Sequence, residues 1–310
     1  MYNILNVVDF VSKKLYGDKR MKRGTKIGWL LIALSVILSV WVIVSQSSDA
    51  SQTTESGLVL SDDGTVLEQY TGSGGTVTIP DSVTTISAGV FKEKDVTQVS
   101  MPSSVTSMGT GVFSGCSSLA SVSLSTSLNS IPEDSFRECL SLGSVTIPDS
   151  ATTIASNAFY GCASLSSVSI PASVSSISTD AFSGCGNLSD ISVASGNGAY
   201  ASSDGCLYNA SKTRLLLVPE GKTSLAIAAG TTTIGAGALQ NCTGISSVSL
   251  PNGVTTIEAN AFSDSSVETI TIPATVTSIA SQGSWKPSTI YGASGSAAEQ
   301  YAKNNGIVFV

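Results

Sequence analysis

Five cysteines, Cys116, Cys139, Cys162, Cys185 and Cys242, occupy one position of a repeating pattern, and a sixth, Cys206, lies off it. Thiols in a row suggest two chemistries, disulfide formation and metal binding. Neither suits this spacing. If the repeats stack like strands, neighbouring thiols lie ~4.8 Å apart with parallel side chains. A disulfide needs Cβ atoms converging to ~3.8 Å, and zinc needs a tetrahedral set of ligands. The column is therefore expected to consist of buried apolar thiols, with some pairing in an oxidising compartment as the alternative. Histidine is absent from all 310 residues, which removes Ser-His-Asp and Cys-His catalysis and every imidazole metal site. Carboxylate pairs are few: Asp62-Asp63-Gly64 reads first as a turn, and Glu133-Asp134 does not recur. No catalytic residue, cofactor or metal is expected. Three glycosylation sequons, at Asn187, Asn209 and Asn241, matter only in a eukaryotic secretory pathway.

The pattern that places these residues repeats about every 23 positions. An apolar residue, usually followed by Pro, recurs at Ile79, Met101, Leu124, Ile147, Ile170, Val193, Ile227, Leu250 and Ile272, at intervals of 22, 23, 23, 23, 23, 34, 23 and 22. A fixed period of this length predicts a solenoid whose coils bury a common face on their neighbours. Within a coil, Leu-x-x-Val-x-Ile (Leu165, Val168 and Ile170, for example) predicts a strand. Pro ends the strand pairing, and a second apolar pair such as Val174 and Ile177 follows. The coil then returns through a Phe column, Phe91, Phe113, Phe136, Phe159, Phe182 and Phe262, expected as a single helical turn, with Leu239 in the Phe place of one coil.

The residues alternating with the strand's apolar positions form the main binding candidate. Ser121, Ser123, Ser144, Thr146, Ser167, Ser169, Asp190 and Ser192 make a flat, nearly uncharged hydroxyl strip, continued by Gln98 and Ser100, Ser247 and Ser249, and Thr269 and Thr271. A solvated strand face of β-tolerant polar residues is the plainer reading; a platform for an extended partner is the functional one. A second candidate is the segment Tyr200–Lys222, which accounts for the 34-residue interval. As a protruding addition to one coil, it would offer Tyr200, Tyr208, Lys212 and Arg214 as contacts.

The repeat "IPxSVTxIxxxAFxGCxxLxxVxIP" resembles the BspA-type leucine-rich repeats of bacterial surface proteins, which also occur in some parasitic protists. The resemblance covers residues 58–310. It implies an opening hairpin at 58–78, coils at 79–288 with a hairpin insertion at 200–222, and a closing cap at 289–310. The fold class is then an α/β-type leucine-rich-repeat solenoid, mainly short β-strands with short helical turns, preceded by one transmembrane helix. The implied function is surface display with adhesion or protein–protein recognition on host or neighbouring cells. A structural spacer, a small-ligand or ice-type surface, and a cell-wall-active enzyme are the alternatives. Regular Thr-x-Thr rows would favour the ice reading, and only Thr269 and Thr271 supply one. An enzyme would need carboxylates clustered on one face, and none are apparent.

The net charge of −7 is divided along the chain. Residues 1–26 are basic, whereas the chain from residue 45 onward is strongly acidic, so nucleic acid is a disfavoured partner. Between them, residues 27–44 carry no charge, with Trp29 and Trp41 near the ends. As a helix this segment would be ~27 Å long, close to the ~30 Å hydrocarbon core. The positive-inside rule then places residues 1–26 in the cytoplasm and the solenoid outside a plasma membrane crossed once. A polar linker is expected over 45–57. Cleavage near Ala50, giving a secreted protein, is the alternative.

Overall fold

The computed structural model describes residues 52–310. The basic segment, the apolar run 27–44 and most of the expected linker lie outside them. Among the described residues no helix is long and apolar enough to cross a membrane. From Gln52 the expected linker is already structured: Gln52–Thr53 pairs antiparallel with Leu58–Leu60, and the turn between them is closed by the Gly57 N–H on the Thr54 carbonyl. Leu58–Leu60 pairs in turn with Val66–Tyr70. At the Asp62-Asp63-Gly64 corner, Asp63 Oδ1 accepts from the Thr65 N–H and from the Ser61 and Thr65 hydroxyls. These bonds hold its carboxyl below the usual range. The carboxylate is spent on the turn.

The body is a leucine-rich-repeat β-solenoid. One face is a ladder of parallel strands at the Leu-x-x-Val-x-Ile positions: Gly75–Thr78, Val96–Ser100 and Ser121–Ser123, then Ser167–Ile170 and Asp190–Val193, then Ser247–Ser249, Thr269–Ile272, Thr289–Gly292 and Val308–Phe309. At the coil of Ser144 and Thr146 pairing thins to a single bridge, Thr146 with Ser169. A second ladder follows the Pro corner, made of two-residue strands such as Thr153–Ile154 and Ser176–Ile177, again parallel and in register. Inward Val and Ile from both ladders are buried. This burial is the main driving force for stacking.

The third face is not helical. Most return segments enter the left-handed region at two residues four apart: Gly111 and Gly115 (φ 60° and 73°), Asp134 and Glu138 (54° and 58°), Asn157 and Gly161 (52° and 70°), Asn260 and Asp264 (56° and 57°). An α-helix requires φ near −60° throughout, so these residues forbid the expected helical turn. The zigzag lets the residues between them bond the next coil: the N–H groups of Gly111, Phe113 and Gly115 donate to the carbonyls of Glu133, Ser135 and Arg137. A 23-residue coil thus has three inter-coil ladders, and one α-helix is present among the described residues. It is Ala297–Asn305, capped by Ser296 and by Gly306 at φ 63°, with Ala298 and Ala302 buried.

The interior is divided. One buried cluster runs from Leu58 to Leu207 and a second from Cys206 to Ile307. The divider is the segment expected to protrude. Tyr200–Ser203 and Cys206–Asn209 pair antiparallel, and Cys206–Asn209 then pairs with Arg214–Leu217, which joins the second ladder beside Thr233–Ile234. Because side chains alternate along a strand, Leu207 faces the first cluster while Cys206 and Tyr208 face the second. The aromatic column breaks at the same level. Tyr70, Phe91, Phe113, Phe136, Phe159 and Phe182 follow one another at ring-centroid distances of 5.1–5.5 Å, and a separate pair, Phe262 and Trp285, lies at 4.6 Å.

Candidate recognition surface

The thiol column is settled by its hydrogen bonds. All six cysteines are free and buried. Four S–H groups reach back to the Phe carbonyl of the preceding coil: Cys116 to Phe91 at 2.8 Å, Cys139 to Phe113 at 3.1 Å, Cys162 to Phe136 at 3.0 Å and Cys185 to Phe159 at 3.1 Å. Cys242 makes the equivalent contact with Val218 at 3.5 Å. Burial pushes the Cys116 thiol up to about 11, those of Cys185, Cys206 and Cys242 to about 12, and those of Cys139 and Cys162 higher still. Lys222 acts on Cys206, but burial outweighs it, and a buried, protonated thiol is a poor nucleophile. The column joins coil to coil.

Hydroxyls fall into two kinds that the sequence does not distinguish. Those around the Pro corner and at the start of the second ladder are committed to the preceding coil. Ser104, Ser150, Ser173 and Thr275 donate to the carbonyls of Val83, Leu128, Ala151 and Val254 at 2.7–2.8 Å. Thr152 and Thr255 donate to those of Asn129 and Thr232 at 3.3 and 3.2 Å. By contrast, the side chains of Ser121, Ser123, Ser144, Thr146, Ser167, Ser169, Asp190 and Ser192 are exposed and bond to no protein group among the described residues. The structure brings together the candidates from Thr146 to Ser192, while Ser121 and Ser123 align with Gln98 and Ser100 in a separate sheet and Ser144 has no strand partner among the described residues. Ser167 faces Asp190, and Thr146, Ser169 and Ser192 run in line. Their hydroxyls remain available to a partner.

The insertion candidates are not brought together, and the hairpin does not protrude. Tyr208 is fully buried, with its hydroxyl accepting from the Ala228 N–H at 3.2 Å. Tyr200 is half-buried, and its hydroxyl accepts from the Ile177 N–H at 2.9 Å. Arg214 is clamped bidentately by Glu258. Lys212 is exposed at a left-handed turn, φ 55°. Lys222 donates to the Asp204 carbonyl at 2.6 Å, and the Asp204 carboxylate accepts from the Ala226 N–H at 2.8 Å. An insertion placed between two coils must satisfy both open ladder edges, and these polar side chains do so. Only Lys212 retains the character of a contact residue.

Sequence reasoning missed an apolar patch at the end of the last first-ladder sheet, residues 247–309, which is separate from the sheet of Ser167 and Asp190. Ser247, Thr269, Thr289 and Val308 are aligned, as are Ser249, Thr271 and Tyr291, and Val310 bonds to the backbone beside Tyr291. Tyr291, Val308 and Val310 are 41%, 60% and 64% exposed. The available signal was the cap's alternating "GIVFV", a strand pattern whose outward positions are valines. Among the described residues no group of three or more His, Cys, Asp or Glu is placed to hold a metal.

The family model for the BspA type leucine rich repeat region matches in six copies, over residues 69–189, 130–225 and 220–284. The chain belongs to the BspA-type leucine-rich-repeat family. Similar solved structures include a leucine-rich repeat protein from Eubacterium ventriosum, at 25% identity and TM-score 0.55 over 79% of this chain and 72% of that one. Another, from Bacteroides ovatus, is 20% identical with TM-score 0.50 over 78% and 69%. No curated protein matches the chain. As a BspA-type repeat protein, the chain has a leucine-rich-repeat fold, a class of scaffold that typically serves binding.

Proposed function

We propose that the chain is a surface-displayed recognition protein, held by residues 27–44 with residues 1–26 in the cytoplasm, whose solenoid binds a protein partner outside the cell through the first-ladder strip. The observation that carries the reading is the division among hydroxyls: the strip's are free while those of the adjoining columns are committed between coils. The apolar patch formed by Tyr291, Val308 and Val310 supplies the desolvating anchor that a hydroxyl strip lacks, and aromatic anchors dominate protein interfaces. Adhesion to host or neighbouring cells is the setting this arrangement suits.

Two measurements test it. Protease shaving of intact cells should release the solenoid and leave residues 1–26 protected; an uncleaved solenoid in intact cells that is cut after lysis overturns the topology. In surface-capture assays with purified cell-surface and matrix proteins, the full chain should bind one saturably. Binding should fall about tenfold or more, ~1.4 kcal/mol or more, in Tyr291→Ala and in the Ser144→Lys, Ser167→Lys double variant. Equal binding by both variants places the contact off the strip, and no capture at all leaves the repeats as a spacer.

A further inference from the structure

The coil junction around Trp285 is built unlike the thiol-bearing junctions. After Phe113, Phe136, Phe159 and Phe182, the coil carries a Cys three residues on and reaches its next Pro-corner apolar residue after eleven positions; after Phe262 it carries no Cys and needs ten. In the following coil Trp285 stacks on Phe262 at 4.6 Å, and its Nε1–H donates to the Val267 carbonyl at 3.0 Å. Beside Trp285 lies an open surface depression of about 300 Å³, bordered by Asp264, Ser265, Glu268, Ser284, Trp285 and Lys286.

The polar groups around this depression are unevenly committed. Asp264 accepts from the Ser263 and Ser284 hydroxyls, one at each oxygen, at 2.9 and 3.0 Å. The Glu268 carboxylate and the Lys286 ammonium bond to no protein group among the described residues. The Ser265 Oγ is shielded from solvent and has no partner, an arrangement that costs stability. We infer that this depression binds a small zwitterion of the α-amino-acid type. Its ammonium would lie between Glu268 and Asp264 and its carboxylate on Lys286.

Other ligand classes fit less well. An anion alone would meet two carboxylates for one ammonium. A divalent cation would find one uncommitted carboxylate beside a lysine, too few oxygens of the right charge. A sugar would want an exposed aromatic face, but Trp285 is 7% exposed and its ring is stacked on Phe262. The volume, at the lower limit of ligand pockets, matches a small ligand.

Equilibrium dialysis of the full chain with radiolabelled glycine and alanine tests this. Saturable binding is expected, with half-saturation on the order of 1 mM for a site of two solvent-touched charge pairs. It should weaken at least tenfold in Glu268→Gln and in Lys286→Met, both surface changes that leave the packing intact. N-acetylglycine, lacking the ammonium, and glycine methyl ester, lacking the carboxylate, should both fail to compete. Absence of saturation up to about ten times that concentration overturns the proposal, as does binding that is indifferent to both substitutions or competed by either blocked analogue. The Tyr291→Ala variant should bind glycine normally, so failure of the strip and failure of this depression are separable.

Discussion

Above pH 9 the solenoid should lose stability steeply, and the first of its two buried clusters should be affected more. The cause is the thiol column. A free thiol ionises near 9.0, whereas burial holds the folded-state values at about 11 to 12 and above. The folded state thus keeps protons that the unfolded chain releases. Stability is complete below the unfolded value, falls as pH rises through 9, and keeps falling until the folded thiols ionise. One pH unit above 9.0 each thiol subtracts about 1.4 kcal/mol. Six together approach ~8 kcal/mol, comparable with the ~5–15 kcal/mol that holds an ordinary domain. Four of them, Cys116, Cys139, Cys162 and Cys185, lie in the first cluster, against Cys206 and Cys242 in the second. Urea unfolding followed from pH 7.5 to 10.5 should show the midpoint falling throughout. Replacing Cys139 and Cys162 by Ala should flatten that fall while lowering stability at pH 7.5. A midpoint that does not move with pH would rule out the buried, protonated column.

Phe136→Ala should destabilise by about 3–5 kcal/mol, and the loss should stop at residue 207. Phe136 sits mid-column, 5.3 Å from Phe113 and 5.2 Å from Phe159, so its removal opens the stack on both sides. In a solenoid, stability is a sum of coil terms and nearest-neighbour interfaces. Coupling therefore passes along the column only while the column is continuous. Here the stack ends at Phe182 and the divider strand Cys206–Asn209 separates the two clusters. Hydrogen exchange read peptide by peptide should show faster opening over 58–207 and unchanged protection over 234–307, beyond Leu216 and Leu217, which pack on the first cluster. With a urea slope of ~2–3 kcal/mol/M, the first cluster's midpoint should fall by about 1–2 M. Phe136→Leu, which keeps more of the volume, should give a smaller shift with the same boundary, and Phe262→Leu the converse pattern. If both clusters shift together in these variants, the solenoid is one cooperative unit and the divider transmits stability across itself.

The strip itself was legible as a row of outward hydroxyls, because period-2 alternation fixes which strand residues face away from the core. Its uncommitted state was not. Ser144 and Ser150 look alike in the chain, yet Ser150 lies within 2.7 Å of the Leu128 carbonyl while Ser144 bonds to nothing in the protein. That difference comes from how one coil is offset on the next, a relation between residues 22 apart.

The sequence alone determined the period, the Cys column and the burial of the thiols, and the Phe stack up to Phe182. Each follows from residue type repeated at fixed spacing, which coil stacking converts into a column. Tertiary structure alone decided three things. Return segments became left-handed turns, because inter-coil bonding at Phe113 and Phe136 outweighs local helix formation. The insertion became an internal divider, because the strand Cys206–Asn209 could bury both its faces only between two coils. Tyr291 joined Val308 and Val310, because the last strand pairs in parallel beside Thr289–Gly292, a contact between segments that no local pattern encodes.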